Sequence, residues 1–168
     1  NYKGNRKQVN GIGKMIKIGY QVLNNMKYPP KIVSCGCAEA DDIIAVLSKK
    51  INNENPETNI KIISSDKDLE QLCNDKISIH LLKNKFPQNV CKIEPKISLM
   101  VKIISGDKSD NITPICKKLG KKLVLELATD SDKLKSFLQN ADEETNSNFI
   151  RNKKLIDLSL IPHEITEE

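Results

Sequence analysis

The sequence predicts an α/β layer carrying a helical subdomain, on three observations. Short β-branched runs alternate with helical stripes over the first half of the chain. From Glu94 onward the periodic segments repeat at three and four residues, the spacing of a helix. Acidic residues gather at element junctions, at positions 39–42, 66–68 and 107–110.

Taken in order, Val9, Ile12, Ile16, Tyr20 and Leu23 form a helical stripe running to about Lys27. Gly11, Gly13 and Gly19 each weaken that helix by roughly 1 kcal/mol relative to Ala. Tyr28-Pro29-Pro30 stops it. Lys31 to Cys35 reads as a short buried strand ending at Gly36. Ala40, Ile43, Ile44, Leu47 and Ile51 make a second, cleaner helical face, and 52–59 (NNENPETN) reads as a loop. Ile60 to Ile63 is a β-branched strand, Ser64-Ser65-Asp66 turns into a short helix beginning near Asp68, and Ile77 to Leu82 is a further strand. Helices follow at Ile97–Ser105, Lys121–Ala128, Ser131–Gln139 and roughly Asp142–Leu158. There is no internal repeat and no low-complexity tract.

The 168 residues carry 27 Lys+Arg against 22 Asp+Glu, a net charge of +5, with 38% hydrophobic and 29% charged residues. That length suits one domain or slightly more, and the composition argues against disorder. No apolar run approaches the roughly 20 residues of a membrane span, and the start does not read as a signal peptide. With Asn1 first, the chain reads as a piece of a longer polypeptide. A charge of +5 does not by itself identify a partner. Only Arg6 and Arg151 are arginine, and the abundance of Lys, Ile and Asn is the codon signature of an AT-rich genome. The five cysteines (Cys35, Cys37, Cys73, Cys91, Cys116) show no C-x-x-C pair, and His80 and His163 stand far apart. This argues against zinc and for buried, reduced thiols in a cytosolic protein.

The acidic residues carry the chemistry. Glu39, Asp41 and Asp42 fall in a first helical turn, Asp66 and Asp68 follow a strand, and Asp107 and Asp110 lie in the loop 106–111. In a parallel α/β sheet the carboxyl ends of neighbouring strands form one rim, where ligands bind. One such Asp is ordinarily a helix cap. The set is different, because two carboxylates 4 Å apart repel by about 4 kcal/mol at an effective dielectric near 20. A cation must offset them. Hard oxygen ligands without His or Cys select Mg²⁺, Mn²⁺ or Ca²⁺, and two ions about 3.5–4 Å apart serve in-line displacement at phosphorus.

Two basic features accompany the acids. Lys117-Lys118-Leu119-Gly120-Lys121-Lys122 places a glycine turn and lysines before a helix, the logic of a helix–hairpin–helix that holds a duplex by its backbone. Tyr2-Lys3-Gly4-Asn5-Arg6-Lys7 sets three cations beside one aromatic.

Four stretches, Tyr-Lys-Gly-Asn-Arg (2–6), Glu-Ala-Asp-Asp (39–42), Ser-Ser-Asp-Lys-Asp-Leu-Glu-Gln-Leu (64–72) and Gly-Asp-Lys-Ser-Asp-Asn-Ile (106–112), resemble in order the motifs of the 5′-nuclease family. That family holds flap endonucleases, bacteriophage 5′–3′ exonucleases and the nuclease domain of bacterial DNA polymerase I. A fainter match covers 151–158. The resemblance implies a PIN-like parallel sheet with helices on both faces in 1–93, including part of a helical arch at 1–28, and a helix–three-turn–helix subdomain in 94–168.

It further implies a two-metal phosphodiesterase acting on DNA, and in several phage relatives on RNA primers, at single-strand/double-strand junctions near a 5′ end. Glu39, Asp41, Asp42, Asp66, Asp68, Asp107 and Asp110 match metal-binding acids, with Asp41 foremost as bridge or direct ligand. Lys3 and Arg6 match basic residues engaging the scissile phosphate or the 5′ strand, so Lys3, Arg6, Asp41, Asp66 and Asp68 form the implied catalytic set. Tyr2, Lys3, Arg6, Lys108, Lys118, Gly120, Lys121 and Lys122 are the implied DNA contacts. The implied cofactor is Mg²⁺, two ions with Mn²⁺ as substitute. The implied protein is a cytoplasmic monomer of a bacterial or virus-infected cell, without membrane contact, acting on DNA or RNA–DNA hybrid.

Two departures stand out. The family's first strand and its Asp, and a second Asp shortly before Tyr2, are absent, so the chain is expected to be weak or inactive alone and to expose an apolar sheet edge. The hairpin has one glycine where the family commonly shows Gly-Ile-Gly, so K⁺ held by hairpin carbonyls is not expected. The alternatives are a non-catalytic DNA-binding fragment and a PIN-like ribonuclease; the 106–112 loop followed by a hairpin argues against the second.

Overall fold

The computed structural model describes residues 2–5, 10–83, 86–89 and 94–162. Its sheet grows from the two β-branched runs. Strand β1 (Ile60–Ser64) pairs in parallel with β2 (Ile77–Lys83), placing Ile62 opposite Ile79. Strand β3 (Phe86–Asn89) joins β2 antiparallel, giving the order β1-β2-β3. Side chains alternate across a strand, so Ile62, Ile77 and Ile79 share the buried face and pack with Leu69, Ile44 and Leu158. Ile63 points to the other face and is 55% exposed.

Helix α1 (Ile12–Asn24) follows Gly11, which sits at φ 85°, and buries none of its residues. Helix α2 (Ala40–Glu54) turns its Ile44, Ala45 and Ser48 side inward. A 3₁₀ helix at Asp68–Leu72 packs against α2, β2 and the first helix of the second half. That half contains α3 (Pro95–Ser105), α4 (Lys121–Thr129), α5 (Ser131–Gln139) and α6 (Glu143–Ile156). Pro95 opens α3, where its missing N–H costs nothing. Asp130 caps α5 by accepting from the Asp132 and Lys133 amides, and Asp142 caps α6 by accepting from Thr145 at 2.8 Å.

Ile104, Ile115, Val124, Leu127 and Leu134 form the helical core, and Ile103, Ile112 and Ile156 join α3, the 106–112 loop and α6. The two halves are stitched together by Gln71. Its amide donates to the Ile156 carbonyl at 3.1 Å and accepts from the Leu158 amide at 2.9 Å.

Asn152, fully buried on α6, donates to the Ile103 carbonyl at 3.0 Å and the Thr113 carbonyl at 2.8 Å. Its own oxygen accepts from Arg151. Asn152→Ala leaves the buried Ile103 carbonyl and the half-buried Thr113 carbonyl without their donor, and a stability loss of about 2 kcal/mol is expected by urea denaturation. A change below about 0.5 kcal/mol would show that water takes over both bonds.

Most predicted elements are present within a few residues of their expected bounds, and three expectations need correction. Residues 31–35 do not form a buried strand. Val33 is 45% exposed, and among the described residues the segment has no ladder partner, without which a strand's amides stay unpaired. Strand β3 was not expected; its Pro87 is tolerated here because β3 is the edge of the sheet. Cys73 is disulfide-bonded and Cys37 is exposed, against the expectation of buried reduced thiols, because irregular spacing carries no information on through-space pairing.

Candidate functional site: an acidic cleft between the two halves

Five carboxylates from three distant segments meet in one cleft of about 520 Å³. Glu39 and Asp41 come from the N-cap and first turn of α2, Asp66 and Asp68 from the end of β1 and the 3₁₀ helix, and Asp110 from the 106–112 loop. Lys3, Lys67 and Lys102 also line it. The β1 strand delivers the second pair because it ends at Ser64, whose hydroxyl accepts from the Asp66 amide at 3.1 Å. Asp66 in turn accepts from the Asp68 amide at 2.9 Å, closing a turn whose two acids line the cleft.

The 106–112 loop is shaped by an isolated antiparallel bridge between Asp107 and Ile112. Within it, Asp107 accepts from the Ser109 amide and hydroxyl. Asp68, Asp107 and Asp110 each offer an oxygen, and these oxygens lie within 4.8 Å of one another. Asp110 is 8% exposed.

Lys102 stands among these acids. From α3 it bonds Asp68 and reaches Asp107 at 2.6 Å, with its side chain 28% exposed. Burial disfavours its charge, but the bonds to Asp107 and Asp68 outweigh that and raise its pKa. Asp107 shows the converse. Burial pushes its carboxyl up, yet the Lys102 ammonium and the Ser109 bonds bring it down to about 2.

The stabilisation from Asp107 is therefore present above the ordinary carboxylate value of 3.8 and is lost as pH falls through about 2. Asp107→Asn is expected to flatten the fall in urea midpoint between about pH 4 and pH 2. An unaltered acid limb in the variant would remove Asp107 from that role.

Lys3 is the second cation. Its ammonium pairs with Glu39 and lies 4.9 Å from the Tyr2 ring centroid, a cation–π contact. Its amide donates to the Asp110 carbonyl at 2.9 Å, and Asn5 donates to the Lys108 carbonyl at 3.3 Å. Burial opposes its charge, but Glu39 and Tyr2 raise its pKa. The Asp41 carboxyl is pushed up by burial first and by the charges of Glu39 and Asp42 next. A cation bound nearby would favour its charged form.

The structure separates the sequence-predicted residues into groups. Glu39, Asp41, Asp66, Asp68 and Asp110 line the cleft, with Asp107 bound to it through Lys102. Asp42 faces the backbone instead, accepting from the Glu39 amide at 3.0 Å in a capping box. Tyr2 is 41% exposed beside Lys3. Arg6 lies outside the described residues. Lys108 is exposed on the loop, Lys118 holds φ 63°, Gly120 is the N-cap of α4, and Lys121 and Lys122 are exposed in its first turn. Lys102 was missed by sequence reasoning. Its signal was a cation in the last turn of a helix running straight into Gly106-Asp107.

Fold and cleft together define a resolvase-like α/β domain joined to a helical partner across a shared acid set. Residues 1–97 match the family model described as the 5′-3′ exonuclease, N-terminal resolvase-like domain, and the chain belongs to that family. A 5′-3′ exonuclease of Buchnera aphidicola is 31% identical over 149 residues, covering 84% of this chain and 48% of its own. DNA polymerase I of Thermus thermophilus is 32% identical over 109 residues, covering 62% of this chain and 13% of the polymerase. The chain thus spans about half or less of these curated relatives. A T5 protein co-crystallised with metal ions shares the fold, with a TM-score of 0.68 at 18% identity over 99% of this chain and 74% of that one. A bacteriophage T5 flap endonuclease in a pseudo-enzyme–product complex with DNA and metal ions gives 0.63 at 20% identity, over 94% and 66%.

Proposed function

We propose that the protein is a structure-specific 5′–3′ exonuclease or flap endonuclease, hydrolysing DNA phosphodiesters near a 5′ end with two divalent metal ions. One observation supports this above the others. Carboxylates far apart in the chain converge on a single cleft beside three lysines, in a chain of the 5′–3′ exonuclease family. The donor set is all hard oxygen, with no His or Cys among the cleft residues, which fits Mg²⁺ or Mn²⁺ and not zinc. Asp41, Asp66, Asp68, Asp107 and Asp110, with Glu39 beside them, are the residues to hold the ions. When bound, such ions supply Lewis acidity and neutralise charge at the phosphate.

The chain's own groups do the positioning. Lys3, held by Glu39 and by the hydrogen bond its backbone amide donates to the Asp110 carbonyl, presents an ammonium at the cleft for the scissile phosphate. Exposed Lys108, Lys118, Lys121 and Lys122 face solvent for duplex phosphates, which fix where the junction falls without reading sequence. Each phosphate so neutralised adds about −0.9 to the slope of log affinity against log salt. RNA–DNA hybrid as a substrate, a monomeric state and a cytoplasmic setting belong to the same reading.

A 5′-flap DNA assayed in Mg²⁺ and in chelator, beside an RNA control, tests it. Slow cleavage that needs the metal, releases the 5′ arm and vanishes in Asp66→Asn/Asp68→Asn is the expected result. Flap cleavage surviving that double change would remove the metal assignment; RNA-only cleavage would indicate a ribonuclease instead.

A further inference from the structure

Cys35 and Cys37 flank a single glycine just ahead of α2, and their Sγ atoms lie 3.2 Å apart. Both carry thiols, and the proposed hydrolysis uses neither. We propose that Cys35-Gly36-Cys37 is a redox-active dithiol that closes reversibly to an intrachain disulfide by exchange with a low-molecular-weight disulfide such as oxidised glutathione.

Distance, access and compliance each support it. A disulfide holds its sulfurs 2.03–2.05 Å apart, so these two must approach by about 1.2 Å, a shift that side-chain rotation and a small backbone turn supply. Cys37 is exposed and Cys35 half-buried, so a small disulfide in solvent meets Cys37 first. Residues 31–35 have no ladder partner among the described residues, and a Cβ built on Gly36 meets nothing within 4 Å. The segment can turn without breaking a strand pairing among the described residues.

The exchange balances in two steps. Cys37 loses its proton and its sulfur attacks one sulfur of the small disulfide, forming a mixed disulfide and releasing one small thiolate. Cys35 then loses its proton and attacks the Cys37 sulfur, closing the ring and releasing the second small thiolate. The two electrons given up by the cysteine pair reside on the two released thiols. A ring this short removes little chain entropy from the unfolded state. It belongs with exposed, readily reduced disulfides, not with structural ones.

Intact mass and peptide mapping of the folded protein, titrated with oxidised against reduced glutathione, test this. The expected result is loss of two hydrogens within the peptide holding residues 35–37, fully reversed by reduced glutathione. Cys35→Ser and Cys37→Ser should each halt at a lasting glutathione adduct on the remaining thiol. A lasting adduct on Cys37 in the unaltered chain, or a new disulfide mapping to Cys116, would overturn the proposal.

Discussion

Gly106→Ala is expected to cost about 3 kcal/mol or more, by urea or thermal unfolding, and to disorder the loop that carries Asp107 and Asp110. The backbone at Gly106 holds φ 72° and ψ −178°, a region that in practice only glycine occupies. Space is the second obstacle. A Cβ there would lie 2.6 Å from the Thr113 carbonyl carbon and 2.7 Å from its oxygen, and closer still to the Ile112 carbonyl oxygen. These are backbone atoms that no rotamer change can move aside. Ile112 is also locked, exchanging bonds with Asp107 at 2.9 and 2.7 Å, so relief at one point breaks the bridge at the other. A loss under about 1 kcal/mol would mean the loop has a second conformation of nearly equal energy.

Lys102→Met is expected to act with opposite signs in the absence and presence of divalent metal. Unit charges 4 Å apart at an effective dielectric near 20 interact by about 4 kcal/mol. The ammonium therefore offsets a large part of the repulsion between Asp68 and Asp107, which it joins. Without it, and in chelator, the cleft acids repel unrelieved, and a loss of about 1–2 kcal/mol is expected after allowing for partial exposure. An arriving cation no longer competes with a resident one, so Mn²⁺ affinity by calorimetry should rise about tenfold, equivalent to about 1.4 kcal/mol. Mn²⁺ should then raise the variant's melting temperature by more than it raises that of the unaltered chain. Equal Mn²⁺ affinity in both proteins would show that Lys102 and the metal do not share their carboxylates.

The helices and the two parallel strands were legible because their periodicity is local. Ile43, Ile44 and Leu47 on α2, or Ile60 and Ile62 on β1, announce their faces within a few residues. Three of the four motifs likewise marked the cleft-lining acids, and the first marked Lys3, since each motif is a local string. What escaped notice was set through space. Residues 31–35 have the composition of a strand, but a strand needs a neighbour, and composition cannot report one. Lys102 looked like an ordinary polar residue on an amphipathic helix; its contact with Asp68 spans 34 positions. Asp42 shares its motif with Asp41, yet one residue further round the helix its carboxylate turns back to cap Glu39. Cys35 and Cys37 were weighed against zinc spacing, which passes over a pair separated by one residue.

The bond from the Lys3 amide to Asp110, with that from Asn5 to Lys108 across 103 positions, has a consequence for modularity. The boundary expected near residue 93 divides the chain into pieces that each look self-sufficient, and the family match itself stops at residue 97. Either piece moved into another protein would carry an incomplete set. One would hold Asp41, Asp66, Asp68 and Lys3; the other would hold Lys102, Asp107 and Asp110. The heritable unit of chemistry is the seam between the halves, so recombination that respects the apparent boundary would still sever it.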